Sequence, residues 1–291
     1  MRFLLGCALA ACAAFGQSEP NGAGLERGTL PPQWATGGPD CSALPKWEVH
    51  EYNRDFSILR ESGCTNYEKP FLFLFFGSDR ALLLDTGAGV PGTAEEVLSL
   101  LDHRAGTRLP LIVAHTHGHG DHVAGDKEFA GMEGVTLVPA KIPDIVKAFG
   151  IEGWPGGAGS IDLGNRTLDV IPIPGHDPVS VAFYDRRTGV LLTGDSLYPG
   201  RLYVADFAAY SASIQRLVDF TRDKPVAHIL GNHIEQTSTP YLDYPIRTKY
   251  QPEEHELALG RAHLLELNAA LHEMSAHPEK RALRDFTIWP R

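Results

Sequence analysis

The sequence predicts an α/β fold, and three observations carry that expectation. Apolar runs of strand length alternate with segments of helical period. Several of those runs end abruptly on Asp, His or Gly. No internal repeat or low-complexity tract interrupts the series. A hydrophobic share of 43% against 21% charged residues is that of an ordinary folded body, which removes the disordered and collagen-like classes.

The opening "MRFLLGCALAACAAFGQSEP" places Arg2 before an apolar run from Phe3 to Phe15, followed by small and polar residues. That is the anatomy of an export signal, too short to span a bilayer, with maturation expected near Gly16 and hence a secreted or periplasmic protein. "LAAC", ending at Cys12, leaves lipidation as the alternative. Residues 17–44 are rich in Gly and Pro and read as a linker or surface strap, leaving 45–291 to form the folded domain. Loss of residues 1–16 removes Cys7 and Cys12. In an oxidising compartment the remaining Cys41 and Cys64 are then expected to pair, the alternative being two buried thiols.

"FSILRES" is a strand candidate. "FLFLFFGSDRALLLDTGAG" reads as a buried hairpin turning at Gly77–Arg80 and ending on Asp85. "TAEEVLSLLDHRAG" predicts an amphipathic helix, with Glu95 and Glu96 in its first turn and Thr93 as its N-cap. "LPLIVAHT" and "VTLVPA" are strands, and "PDIVKAFG" is a short helix closed by Gly150. After the glycine-rich "IEGWPGGAGS", strands follow in "RTLDVIPIPGH" and on both sides of Asp185–Gly189 in "VSVAFYDRRTGVLLTGD". A helix within "SASIQRLVDF" and a strand "VAHILGNH" precede a long helix expected from Pro252 to about Met274. His255, His263 and His272 would lie on its faces, and "RDFTIWPR" would cover the sandwich. The net charge of −10 repels nucleic acid and anionic lipid surfaces, so a small molecule is the expected partner, and none of the mature chain is expected to cross a membrane.

"HTHGHGDHVAG" concentrates ligand-type side chains just past a strand. His117 and His119 are two apart, so an extended backbone sends both to one side, where they can grip one ion. Gly118 and Gly120 let the loop turn, bringing Asp121 and His122 in from another direction and favouring a second ion. Imidazole with carboxylate is a ligand set typical of zinc, with manganese, iron or cobalt also able to use it.

His117-Gly118-His119-Gly120-Asp121-His122 resembles the HxHxDH signature of the metallo-β-lactamase superfamily, and later segments resemble that family's further signals in the same order. "PIPGHDP" supplies His176, "LLTGDS" supplies Asp195, "ILGNH" supplies His233 and "LLLDTGAG" supplies Asp85, over a match from about Phe71 to His233. The resemblance implies a four-layer αβ/βα sandwich with two mixed β-sheets. It implies that His117, His119 and His176 hold one divalent ion, most simply Zn2+, that Asp121, His122 and His233 hold a second, and that Asp195 spans both. Asp85 would buttress the metal loop from behind. His115 is expected to pack or hydrogen-bond within the loop rather than ligate.

Two such ions lower the pKa of a shared water from ~15.7 toward about 7 and polarise a carbonyl, which is hydrolytic chemistry. Asp121 and Tyr198 are the expected catalytic groups. The Asp195-Ser196-Leu197-Tyr198 spacing is similar to that of the superfamily's lactonases, whose tyrosine hydroxyl assists the substrate carbonyl, while a packing tyrosine is the alternative. Arg201, Tyr203 and Phe207, and separately Trp154, are candidate pocket walls. The leading expectation is an exported di-metal hydrolase of a carboxylic ester, lactone or thioester. A class B3-like β-lactamase is the runner-up, favoured by export and by HxHxDH; against it, the lactamase branches use Cys or Ser at the bridging place, although "GDS" leaves open whether Asp195 or Ser196 occupies it. A mono-iron persulfide dioxygenase and a non-catalytic metal-binding protein are the further alternatives.

Overall fold

The computed structural model describes residues 24–291 apart from 36, 39, 43, 106 and 107, so the expected signal segment and Cys12 lie outside the described residues. The first sheet has six strands in sequence order: β1 (Trp47–Asn53), β2 (Phe56–Glu61), β3 (Phe71–Phe76), β4 (Ala81–Leu84), β5 (Leu111–Ala114) and β6 (Val135–Leu137). The first three pairings are antiparallel and the last two parallel. Helices α1 (Thr93–Ala105), α2 (Gly120–Val123), α3 (Asp126–Phe129) and α4 (Ile142–Phe149) fall between or after these strands. The second sheet takes β7 (Gly159–Asp162), β8 (Thr167–Pro172), β9 (Val181–Asp185), β10 (Val190–Gly194), β12 (His228–Gly231) and β13 (Ala258–Leu259), in the order β13-β12-β10-β9-β8-β7. A small third sheet pairs β11 (Arg201–Val204) with β15 (Thr287–Pro290) and β14 (Arg281–Ala282), while α5 (Phe207–Phe220) and α6 (Arg261–Glu273) pack together.

Side-chain alternation builds the layers. In β3, Phe71, Phe73 and Phe75 join a core shared with Val170, Phe183, Leu192 and Leu230 of the second sheet. Leu72, Leu74 and Phe76 face the other way, onto Val97 and Leu101 of α1. The outer face of the second sheet, with Ala182, Tyr184 and Leu191, packs on Ile214 and Leu217 of α5 and Leu264 and Leu267 of α6. Strands apolar on both faces are what a sheet covered on both sides requires. The result is the expected αβ/βα sandwich with two mixed sheets. Cys41 and Cys64 form a disulfide, as expected, and no helix among the described residues is long and apolar enough to cross a membrane.

Two elements differ from expectation. The last long helix begins at Arg261, not Pro252. Residues 252–260 are drawn away from helical geometry by tertiary partners. Glu254 is captured by buried Arg60, Thr237 bridges to Glu254, and Ala258–Leu259 adds to the edge of β12. His255 therefore lies off the helix, against Asp285. Thr93 is not the N-cap of α1: its hydroxyl donates to Val90 O, and the Glu128 carboxylate of α3 accepts from the N–H groups of Gly92 and Ala94 instead. A carboxylate from another helix performs the capping that a local hydroxyl was expected to do.

Candidate metal centre

The site forms where strand ends of both sheets meet. Asp85 follows β4, His115 to His122 follow β5, His176 lies in the turn after β8, Asp195 follows β10 and His233 follows β12. Close approach of the two sheets there needs Gly194. It has φ +54°, and a Cβ at that position would stand 2.9 Å from the Thr116 Cβ.

Every imidazole has its outward nitrogen tied to an acceptor. His176 Nδ1 donates to Tyr203 O at 2.7 Å, His233 Nδ1 to Glu68 O at 2.9 Å and His122 Nδ1 to Asp85 Oδ2 at 3.1 Å. Thr116 Oγ1 donates to Asp85 Oδ2, so it accepts from His117 Nδ1 at 3.1 Å. His119 Nε2 faces Asp177 Oδ2 at 3.5 Å. Backbone carbonyls and carboxylates only accept, so in the neutral imidazole each inward nitrogen has its lone pair free for a cation.

Those lone pairs converge. His119 Nδ1 lies 3.1 Å from His117 Nε2 and 3.0 Å from His176 Nε2, and His122 Nε2 lies 3.3 Å from His233 Nε2. Facing lone pairs repel at that range, whereas nitrogens bound at ~2.0 Å around one tetrahedral ion stand roughly 3.3 Å apart. The chain brings together three ligand groups: His117, His119 and His176; His117, His122 and Asp195; and Asp121, His122 and His233. The Asp195 carboxylate faces both ends of the site. Its Oδ2 is 3.8 Å from His117 Nε2 and 3.6 Å from His176 Nε2, while its Oδ1 is 3.6 Å from His122 Nε2 and 3.4 Å from His233 Nε2. That Oδ1 is buried without a hydrogen bond, the mark of an acceptor made for a cation. The donor set therefore fits two divalent ions sharing Asp195.

The electrostatics agree. Burial opposes a charge on Asp195, yet His233, His122 and His117 outweigh it and hold the carboxyl well below its usual range. Burial likewise opposes protonation of His122 and His233, but the Asp195 and Asp121 carboxylates raise both well above the ordinary imidazole value. The field of the carboxylates calls for positive charge at that end. At the other end, burial keeps His117 and His176 neutral.

Asp85 is the hub behind the ligands. Fully buried and at φ +67°, it accepts from Thr116 N, Thr116 Oγ1, His122 Nδ1 and Asn232 Nδ2. His115 is absent from the ligand groups and sits buried, 3.2 Å from Asp126 Oδ1 and 3.7 Å from Asp85 Oδ1. The Asp195 carboxylate, which faces imidazoles at both ends, is the group that can fill the shared place, while the Ser196 hydroxyl is buried without a hydrogen bond.

The cleft over these groups has a volume of about 140 Å3 and is walled by Glu68, Tyr198, Tyr203, Glu235 and Arg291. Tyr198 departs from expectation. It is buried, its hydroxyl donates to Arg201 O, and Glu235 Oε2 stands 3.1 Å away, so the proton is not free for a substrate carbonyl. Tyr203 lines the cleft from β11, whereas Phe207 packs on the outer helix core and Trp154 on the inter-sheet core. Sequence reasoning missed Thr116, Asp177 and Asn232, and the carbonyls of Glu68 and Tyr203. Of these only Asn232, an amide closing an apolar strand, left a visible signal.

A family model described as the metallo-beta-lactamase superfamily matches residues 71–231, more than half of the chain. The chain belongs to the metallo-beta-lactamase superfamily. Among members with curated names, a hydroxyacylglutathione hydrolase of Methylococcus capsulatus is 33% identical over 144 residues, covering 47% of this chain and 55% of that protein. The chain thus spans about half the length of that relative. Acyl-coenzyme A thioesterase MBLAC2 of Homo sapiens is 25% identical over 234 residues, 66% of this chain and 82% of that one. In fold, the chain is similar to a solved metallo-beta-lactamase from Pontibacter korlensis, with a TM-score of 0.55 and 19% identity over 78% of this chain and 99% of that one. The metallo-beta-lactamase FIM-1 from Pseudomonas aeruginosa, in its mono-zinc form, gives a TM-score of 0.55 at 16% identity over 80% and 99% of the two chains.

Proposed function

We propose that the protein is a di-metal hydrolase, with zinc as the resident ion, that cleaves a thioester, carboxylic ester or lactone. The observation that carries the reading is the convergence of five imidazole lone pairs and two carboxylates whose tautomers and charges are already fixed for cations. Completion of the second ligand group by Asp121, His122 and His233 supports two ions over a single iron. An aspartate rather than Ser196 at the shared position, together with relatives named as thioester hydrolases, supports acyl esters over β-lactams.

Bound in these sets, divalent ions supply an acidified water and polarisation of a carbonyl. The chain does the rest. His117, His119 and His176 would hold one ion, and Asp121, His122 and His233 the other, with the Asp195 carboxylate facing both groups. Asp85 keeps the loop and His122 in register through its four hydrogen bonds. Asp121 has one oxygen 3.3 Å from His233 Nε2 and edges the cleft; burial opposes its charge, but His122 and His233 outweigh that and hold its carboxyl well below the usual range, so it serves there as an anion and hydrogen-bond acceptor. His119, with 45% of its side chain exposed, is the ligand that substrate meets first.

The test pairs metal analysis with a panel of an acyl thioester, an aryl ester, a lactone and nitrocefin. His117→Ala, His176→Ala and Asp195→Ala should each lose bound metal and turnover of the acyl substrates together. Full metal content and activity in all three variants, or turnover confined to nitrocefin, would overturn the reading. We also propose export. The Cys41–Cys64 disulfide supports an oxidising compartment, and a native N-terminus near residue 17 is the expected outcome of sequencing the mature protein.

A further inference from the structure

A second cavity of about 250 Å3 adjoins the metal cleft and shares with it the walls formed by Glu68, Tyr203, Glu235 and Arg291. Its own walls come from the turn before β3 and from residues 245–248. Cations dominate it in a chain whose net charge is −10. Arg201 is matched, with Nη2 2.8 Å from Glu235 Oε1 and Nη1 2.8 Å from Tyr244 O. Lys69 and Arg247 form no ion pair within 4 Å among the described residues, although Glu254, Glu235 and Glu68 act on Lys69 from farther off.

Lys69 is the more unusual of the two. It is a non-glycine residue at φ +48° and only 2% exposed, so its ammonium is buried, and the residue lines the cavity. Nζ donates to Tyr67 O at 2.9 Å and Thr248 O at 3.0 Å, and no carboxylate lies within 4 Å among the described residues. An ammonium has three protons, so one is left without an acceptor. Arg247, also left-handed at φ +71°, is exposed at the rim with its guanidinium 5.8 Å from the Tyr67 ring and no ion-pair partner among the described residues. The segment is also wired to the metals, because Glu68, next to Lys69, is the residue whose carbonyl orients His233.

We propose that this cavity receives a carboxylate-bearing arm of the substrate, with Lys69 in its wall and Arg247 at its rim, while the scissile acyl group lies in the metal cleft. An ammonium and a guanidinium fork complement a carboxylate. The volume of about 250 Å3 admits a short carboxylate-bearing arm. This inference rests on the acyl-hydrolase reading for its reaction but not for its binding.

Two measurements on the metal-loaded protein separate them. The first compares kcat/KM for S-ethyl thioacetate, S-acetyl-3-mercaptopropionate and S-ethyl succinate monothioester, which place the carboxylate nowhere, on the thiol side and on the acyl side. One charged substrate should exceed the neutral one by at least about tenfold, mainly through KM, the range expected for a hydrogen bond to a charged group. Arg247→Ala and Lys69→Met should each collapse that ratio. Arg247→Ala alters an exposed side chain, so it keeps the test valid should Lys69→Met fold poorly. The second is calorimetric binding of 3-(methylthio)propionate and of methylthiosuccinate, neither of which can be hydrolysed. Equal kcat/KM for charged and neutral substrates, or carboxylate binding that persists in Arg247→Ala/Lys69→Met, would overturn the inference. Carboxylate binding lost in that double variant, with no thioester cleaved by the wild type, would uphold the cavity and sink the hydrolase reading.

Discussion

Removing either partner of the Arg60–Glu254 pair should be among the most damaging single changes outside the metal centre. Arg60 stands on β2, and Glu254 lies in the stretch that ties the chain after β12 back onto the first sheet. Two parallel contacts, Nη1–Oε2 at 2.5 Å and Nη2–Oε1 at 2.6 Å, join side chains that are 0% and 2% exposed, and the guanidinium lies 4.8 Å from the Phe71 ring. Breaking such a buried pair leaves one charge uncompensated, a loss of about 3–5 kcal/mol. The two variants should not be equal. Arg60→Met leaves Glu254 with Lys69 as a neighbouring cation, so its loss falls near the lower figure. Glu254→Gln leaves Arg60 and Lys69 repelling each other with only the weaker fields of Glu235 and Glu68 to offset them, so its loss falls near the upper one. Arg60→Met/Glu254→Leu should recover most of the stability, since neither charge remains. Urea unfolding of metal-loaded protein, read as a midpoint shift at unchanged slope, measures all three. Losses under about 1 kcal/mol in both single variants, or the reverse order between them, would refute the reasoning.

Burial and the nearby Arg60 lower the Lys69 ammonium from its usual 10.5 to about 8. The unfolded chain therefore holds that proton more tightly, and the associated stability is full above pH 10.5 and lost as pH falls through 8. At about 1.4 kcal/mol per unit, the wild type should gain about 3 kcal/mol relative to Lys69→Met between pH 8 and 10.5; parallel stability curves for the two would contradict this. The Cys41–Cys64 bond closes a separation of 23 residues, so Cys41→Ser/Cys64→Ser should lower the unfolding free energy by about 3 kcal/mol in non-reducing urea titrations. Chelation should destabilise the fold, because the facing lone pairs and the unpaired Asp195 Oδ1 are then left bare. A drop of about 2.7 kcal/mol per site is expected relative to metal at a hundred times its Kd, and an unchanged thermal midpoint would count against the site.

The sequence made the strands and the ligands legible for the same reason: both leave a periodic or compact trace. The alternation in "FLFLFF" appears as two opposite cores, and the spacing from His117 to His122 places side chains in both ligand groups. What stayed hidden depends on partners distant in the chain. Pro252, Glu253 and Glu254 carry a good helix-start signal, but Glu254 is claimed by Arg60, 194 residues away. Thr93 looks like a cap until Glu128 arrives from another helix. Tyr198 has the spacing of a catalytic hydroxyl, yet a carbonyl three residues on takes its proton. The carbonyls that set the tautomers of His176 and His233 belong to the backbone, which every residue possesses, so no residue type could announce them.

Asp85 receives hydrogen bonds from Thr116, beyond the end of β5, and from Asn232, beyond the end of β12, so one carboxylate clasps the two halves of the sandwich at the rim where the ligand groups converge. The spacing of that rim is accordingly a property of the framework and stays constant whichever ligand enters. On the proposed reading, variation in what the protein accepts falls to residues 245–248 along the neighbouring cavity, which lie outside the clasp.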